Sequence, residues 1–373
     1  MVIRTYLDHA ASSPVVPEAA AAMAEWLGRP GNPSSLHASG RAARRALEDA
    51  RESLAADLGA RPADVVLTSG GTEANNLALL GVGGAERPEL AISAVEHPSV
   101  AAVRGRRAGV VVLPVRGTGH LDLDRAAALI GERTALVSVM WANNETGAVQ
   151  PVAEVAGLAH AAGALAHSDA VQAFGHLAVD FAASGLDLLT VSAHKLGGPV
   201  GIGALVVRRG VTLAPSGFGG GQEARLRSGT VPVALAAGFA AASRVAASRR
   251  EEEAARLSVL RDRVIAGAVG AVPGTHANTV EPCGPAIVNL TFAGVRADDV
   301  LLLLDAAGFD ASTGSACTAG VHQPSEVLLA MGRTLDDASA SLRFSFGPDS
   351  SAETVDALLA VLPGVVERAR AAA

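Results

Sequence analysis

Lys195 is the only lysine in the chain; every other basic side chain counted with it is an arginine. Arginine can stand in for lysine where only charge matters. It cannot where an amine must lose its proton and attack a carbonyl, because a guanidinium stays protonated in proteins. Lys195 is therefore a candidate Schiff-base residue, set against the plainer reading of a surface lysine left by chance. Its setting favours chemistry: Leu188-Leu189-Thr190-Val191 reads as a buried strand, and Gly197-Gly198-Pro199 as the turn that leaves the lysine at its exit. If the strand stays extended, Ser192 and His194 share one face and Lys195 takes the other. That suits two polar groups holding an anion while the amine reaches a reacting carbon.

Four further loops carry usable groups. Ser69-Gly70-Gly71-Thr72-Glu73 joins a strand to a helix, where free backbone N–H groups and the Thr72 hydroxyl can bind a phosphate. A simple capped turn is the alternative. In His167-Ser168-Asp169-Ala170-Val171-Gln172, Asp169 is either a helix cap or a carboxylate that pairs with a protonated pyridine nitrogen. Glu96-His97-Pro98 and Asn143-Asn144-Glu145-Thr146-Gly147 complete the set, with a structural hydrogen bond and a plain turn as their bland readings. Ser312–Gly320 is a small-residue segment around Cys317, which suggests an exposed, mobile thiol over 313–325. Arg343 alternates out of a strand and can clamp a carboxylate through two N–H groups.

The elements that hold these groups alternate along the chain. Short apolar strands near Val65–Thr68, Leu90–Ala94, Val110–Pro114, Ala135–Trp141, Ala164–Ser168, Leu186–Ser192 and Ile202–Val207 are separated by helical patterns, among them Arg41–Leu58 and Pro98–Arg106. This predicts an α/β fold with a mostly parallel seven-stranded sheet between helices, its ligand loops at the carboxyl ends of the strands. A long helix over Pro232–Val269, with room for a kink, leads to a smaller α+β region. We expect residues 12–247 as the large domain and 1–11 plus 248–373 as the small one.

Composition removes several functions. A net charge of −7 over 373 residues, without a basic stripe, argues against nucleic-acid binding. Two cysteines without paired spacing argue against a disulfide framework and point to a reducing compartment. No run is apolar enough to span a bilayer, and residues 1–8 lack the apolar centre of a signal peptide, so a cytoplasmic protein is expected. A dinucleotide reading fails for want of G-x-G-x-x-G, and no metal-ligand spacing occurs, so no resident metal is expected.

Taken in order, Tyr6-Leu-Asp-His-Ala-Ala11, Asn32-Pro-Ser-Ser-Leu-His37, Thr68-Ser-Gly-Gly-Thr-Glu73, Glu96-His97, Asn143-Asn-Glu145, Ser168-Asp-Ala-Val-Gln172, Ser192-Ala-His-Lys195, Arg227-Ser-Gly-Thr230, Gly314-Ser-Ala-Cys-Thr318 and Leu342-Arg-Phe-Ser345 resemble the cysteine desulfurases of the NifS/IscS type. Those belong to the class V aminotransferases of fold type I, which use pyridoxal 5'-phosphate (PLP), and the wording is similar to actinobacterial housekeeping members. The resemblance implies sulfur removal from L-cysteine, giving alanine and a persulfide on Cys317 that is passed to Fe–S, thio-cofactor or tRNA-thiolation acceptors. It implies Lys195, Cys317 and His97 as catalytic groups. Gly71, Thr72, Ser192 and His194 would hold the phosphate, and Thr230 would reach the phosphate of a neighbouring subunit in a homodimer. Asp169 would pair with the pyridine nitrogen and Gln172 with the ring oxygen, and His97 would stack on the ring. Asn32, Asn144 and Arg343 would fix the substrate carboxylate, Asn144 also bordering the cofactor. Cys317 is also the side chain that would ligate an Fe–S cluster in transit.

Two departures stand out. Gln222-Glu223-Ala224-Arg225 replaces the commoner Gln-Glu-Arg-Gly, and the chain stops soon after its last helix, without the longer tail with which many relatives dock an Fe–S scaffold. A selenocysteine lyase, another class V aminotransferase, or a catalytically idle assembly partner remain open alternatives.

Overall fold

The structure, a computed structural model, describes residues 4–314 and 323–372. Seven strands form one sheet in the order Val65–Thr68, Gly203–Val207, Leu188–Ser192, Leu165–Asp169, Thr134–Ser138, Glu89–Ser93 and Val110–Leu113. Gly203–Val207 runs antiparallel to both its neighbours; the other adjacent pairs are parallel. Both faces are covered. Along Leu188–Ser192, Leu188 packs with Leu90, Leu136 and Leu205, whereas Leu189 and Val191 pack on the other side with Val137 and Val206. Burial on both faces is why these strands read as continuous apolar runs rather than alternating ones. This is the fold type I architecture expected from the sequence.

Helix Val233–Ala271 is one continuous run of 39 residues, about 58 Å at the helical rise. Its first half buries Phe239 in the core under the large sheet, and its second half buries Leu260 and Val264 in a separate core. That second core lies on an antiparallel sheet in which Ile287–Phe292 is central between Thr275–Ala277 and Ser341–Ser345. Near the start of the described residues, Thr5–Tyr6 pairs in parallel with Phe309–Asp310, and Asp8 then bridges to Ser345. The chain near residue 8 is thereby pinned beside Arg343. The helix expected over Pro98–Arg106 is an α-turn, Pro98–Ala101, followed by a 3-10 segment, Ala102–Gly105. Val100 and Val103 are its buried residues, and an i, i+3 pair suits the threefold 3-10 repeat. Among the described residues no helix is long and apolar enough to cross a membrane.

Candidate active site

Strand Leu188–Ser192 does not stay extended. It stops at Ser192 and turns through the 3-10 segment Ala193–Lys195. The face alternation therefore fails, and Ser192, His194 and Lys195 line one cavity of about 400 Å³. Lys195 Nζ donates to the carbonyls of Ala10 and Ala11 at 2.6 and 2.7 Å. Gln172 Nε2 donates to the Ala10 carbonyl too, at 2.8 Å, so the entry segment forms the wall behind both side chains.

One end of the cavity is built for an anion. Helix Gly71–Gly81 begins after Gly70 with no side-chain cap, which leaves the N–H groups of its first turn available. A Cβ at Gly71 would lie 2.8 Å from Val171 Cγ2, so only glycine lets the helix start approach this loop. Gly71, Thr72, Ser192 and His194 all border this end. His194 is held near pKa 4, by burial first and then by Lys195 and His97. A neutral ring there can hydrogen-bond an anion without competing for its charge.

The other end presents a carboxylate. Asp169 is 5 % exposed, accepts Val171 N–H on Oδ1 at 2.9 Å, and accepts Asn75 Nδ2 on Oδ2 at 2.6 Å. His97 lines the same cavity and contacts Ser99 through Nδ1. Burial, more than the opposing influence of Asp169, holds its pKa below the usual histidine range, with Lys195 pushing the same way as burial. Glu96, one residue earlier, is buried without a cation. Its carboxyl is raised to about 8, chiefly by burial, although Ser93 Oγ and the Met140 N–H donate to Oε1.

Arg343 and Asn144 close the third side. Arg343 is 3 % exposed; Nη1 donates to the Asn144 carbonyl at 2.8 Å and Nη2 to Asp8 Oδ1 at 2.6 Å, while Nε is buried with no partner. Gly314 also lines the cavity, and a Cβ there would lie 3.1 Å from Glu145 Oε2. Ser325 Oγ donates to that same oxygen at 2.5 Å. Both chain ends nearest Cys317 thus meet Glu145, a carboxyl raised mainly by burial. Cys317 and most of 313–325 lie outside the described residues.

Asn32 and Thr230 are not brought to Lys195. Both border a second, larger cavity of about 590 Å³. Beside it, Arg51 Nη1 and Nη2 donate to the two carboxylate oxygens of Glu223 at 2.9 and 2.7 Å, and the Leu67 N–H donates to Oε2 at 2.7 Å. The unusual Gln222–Arg225 wording has a backbone consequence: Glu223, Ala224 and Arg225 all take left-handed conformations, φ 43°, 55° and 65°. Arg225 stands there where the commoner motif has glycine. Such residues cost on the order of 1 kcal/mol or more each, and the Arg51 fork holds them in place. Arg227 Nε donates to Glu73 Oε1 at 3.1 Å, which ties the Thr230 segment to the anion-binding turn.

Sequence reasoning passed over Asn75 and Ser99. Asn75 lies one helical turn after Thr72, but that spacing by itself does not say what the face meets, and Ser99, two residues after His97 at the start of a helical turn, carries no periodic signal.

An aminotransferase class-V family model matches residues 5–358. The chain belongs to the aminotransferase class-V family. Within it, the chain is 47 % identical to an IscS-like cysteine desulfurase of Mycobacterium tuberculosis, over 99 % of this chain and 98 % of that protein. A solved NifS-like protein superposes with a TM-score of 0.91 at 31 % identity, covering 98 % of this chain and all of the other. A structure described as SspA in complex with cysteine matches with a TM-score of 0.80 at 31 % identity, covering 93 % of this chain and 99 % of the other.

Proposed function

We propose that this chain is a cysteine desulfurase that works with PLP. One observation carries the reading: the sole lysine shares a cavity with an uncapped helix start and a buried carboxylate. The residues fit the cofactor in kind. Gly71, Thr72, Ser192 and His194 would hold its phosphate, Asp169 its ring nitrogen and Gln172 its ring oxygen, with His97 against the ring face. Bound there, PLP supplies an electron sink beside the substrate α-carbon.

The chain's own groups do the rest. Arg343 and Asn144 orient the L-cysteine carboxylate, and the buried unpartnered Nε of Arg343 supports that role. Lys195 would move the α-proton. Cys317 takes the sulfur: its thiol and cysteine become a persulfide and alanine, so atoms and electrons balance without a further oxidant. An SspA structure with bound cysteine supports a cavity of this fold as a cysteine site.

Thr230 and Asn32 need a second copy of the chain to reach a Lys195 site, and we assign the enzyme as a homodimer with shared sites. We also place it in the cytoplasm, with protein acceptors such as an Fe–S scaffold taking the persulfide sulfur. The two cores, joined through helix Val233–Ala271, support a division into residues 12–247 and 1–11 with 248–373.

The test is to incubate purified, PLP-loaded protein with L-cysteine and a reductant and to measure sulfide and alanine together. We expect equal amounts from the wild type and neither from Cys317→Ala. Full turnover by Cys317→Ala, or no sulfide from the yellow wild type, would move the assignment to transamination or selenocysteine cleavage.

A further inference from the structure

Asp169 and His97 border one cavity from different elements, and the link between them is neutral. Asn75, 1 % exposed, donates one Nδ2 hydrogen to Asp169 Oδ2 at 2.6 Å and the other to Ser99 Oγ at 2.8 Å. A flipped amide would set its oxygen against the carboxylate, so charge fixes its orientation. With Asn75 donating to it, Ser99 Oγ has one hydrogen of its own, and His97 Nδ1 lies 2.8 Å away. The Ser99 backbone N–H donates to the same nitrogen at 3.1 Å. Two donors converge on Nδ1, which can therefore carry no hydrogen, and the proton of the neutral ring sits on Nε2. Nε2 has no protein partner among the described residues, and the ring lines the cavity.

We infer that Asn75 and Ser99 are positioning residues that hold His97 as its Nε2–H tautomer, making it a hydrogen-bond donor to the cavity rather than a proton acceptor. What it donates to rests on the desulfurase reading; the tautomer does not. A donor suits a sulfur that gains negative charge, and it leaves the task of base to Lys195. The charged groups about the ring agree. Asp169 favours imidazolium, but burial and Lys195 oppose it, and a proton on Nδ1 would face the Ser99 N–H head-on. His97 disfavours protonation of His194, while Glu96 turns Oε1 to Ser93 and Met140.

The experiment is ¹⁵N-imidazole NMR of the full chain, with and without PLP, the His97 signal being assigned by its loss in His97→Gln. The wild type should show an unprotonated Nδ1 and a protonated Nε2, both persisting below the ordinary midpoint of about pH 6.5. Ser99→Ala and Asn75→Ala should mix the tautomers and raise the midpoint, whereas Ser99→Thr should keep the wild-type pattern. In the desulfurase assay Ser99→Ala should lower kcat about five- to tenfold, the worth of one hydrogen bond, with KM for cysteine little changed. A wild-type Nδ1–H, or a tautomer and midpoint identical in all these variants, overturns the inference. The expected tautomer in a protein that makes no sulfide would leave it standing and count against the desulfurase reading.

Discussion

Two buried glutamates mark the two cavities, and they are treated in opposite ways. Glu223 is saturated: both arms of Arg51 and the Leu67 N–H meet its carboxylate. Glu96 is as deeply buried, but among the described residues it meets no cation and its Oε2 has no hydrogen-bond partner. The pattern extends outward from each. Around Lys195 the polar groups stop short of full satisfaction: Arg343 Nε, Asn75 Oδ1 and Glu96 Oε2 are all buried and unpartnered. Beside the second cavity, which is the larger, charge is matched by charge. Size is therefore a poor guide to where chemistry happens in this molecule. Unmatched polarity is the better one, because an incompletely paired buried group is one that a ligand can complete.

If that contrast is right, damage near Lys195 should appear as lost activity, and damage at Arg51–Glu223 as lost stability. Lys195→Ala should reduce desulfurase turnover by at least about 10³-fold, as removal of a covalent catalytic group does, while the melting temperature barely moves. A folded Lys195→Ala protein with more than a few per cent of wild-type turnover would end the argument for its role. Glu223→Ala strands the Arg51 guanidinium and releases three left-handed residues. It should cost about 3–5 kcal/mol in urea unfolding, and an unchanged midpoint would erase the distinction between the cavities.

Glu96 gives the smallest and sharpest test, because its sign depends on pH. Its folded pKa of about 8 lies above the ordinary 4.5. Below the ordinary value both folded and unfolded states hold the proton, and stability is whole. As pH rises toward the folded value, only the unfolded state ionises, so stability declines. Glu96→Gln removes that slope. By that linkage it should gain about 3 kcal/mol over the wild type at pH 8 relative to pH 5, roughly 1.4 kcal/mol for each pH unit in which only the unfolded state is ionised. Equal differences at the two pH values would show that the Glu96 proton is not held.

The fold was legible because its signals are local. Apolar runs such as Val65–Thr68 and Leu188–Ser192, each closed by glycine or polar turns, lie close to where they were expected. Nine of the ten predicted site residues at the Lys195 cavity meet there for the same reason, because they lie at the strand ends of one large sheet; Arg343 arrives from the small antiparallel sheet. What could not be read is what depends on packing. Extended alternation put Lys195 opposite Ser192 and His194, but the chain turns after Ser192. Asn32 and Thr230 carry no local sign of which cavity they border. Asn75 and Ser99 acquire meaning only when helix Gly71–Gly81 lies against the turn after His97. Thr275–Ala277, three half-buried residues at a sheet edge, has too little pattern to be seen.

The single lysine has a consequence outside catalysis. Acetylation, methylation and every other modification aimed at a side-chain amine has one acceptor in this chain, and that acceptor is Lys195. On the function proposed above, a molecule modified at a lysine would be a switched-off molecule. Conversely, an amine-reactive label read by mass on the Lys195 peptide reports that one side chain alone.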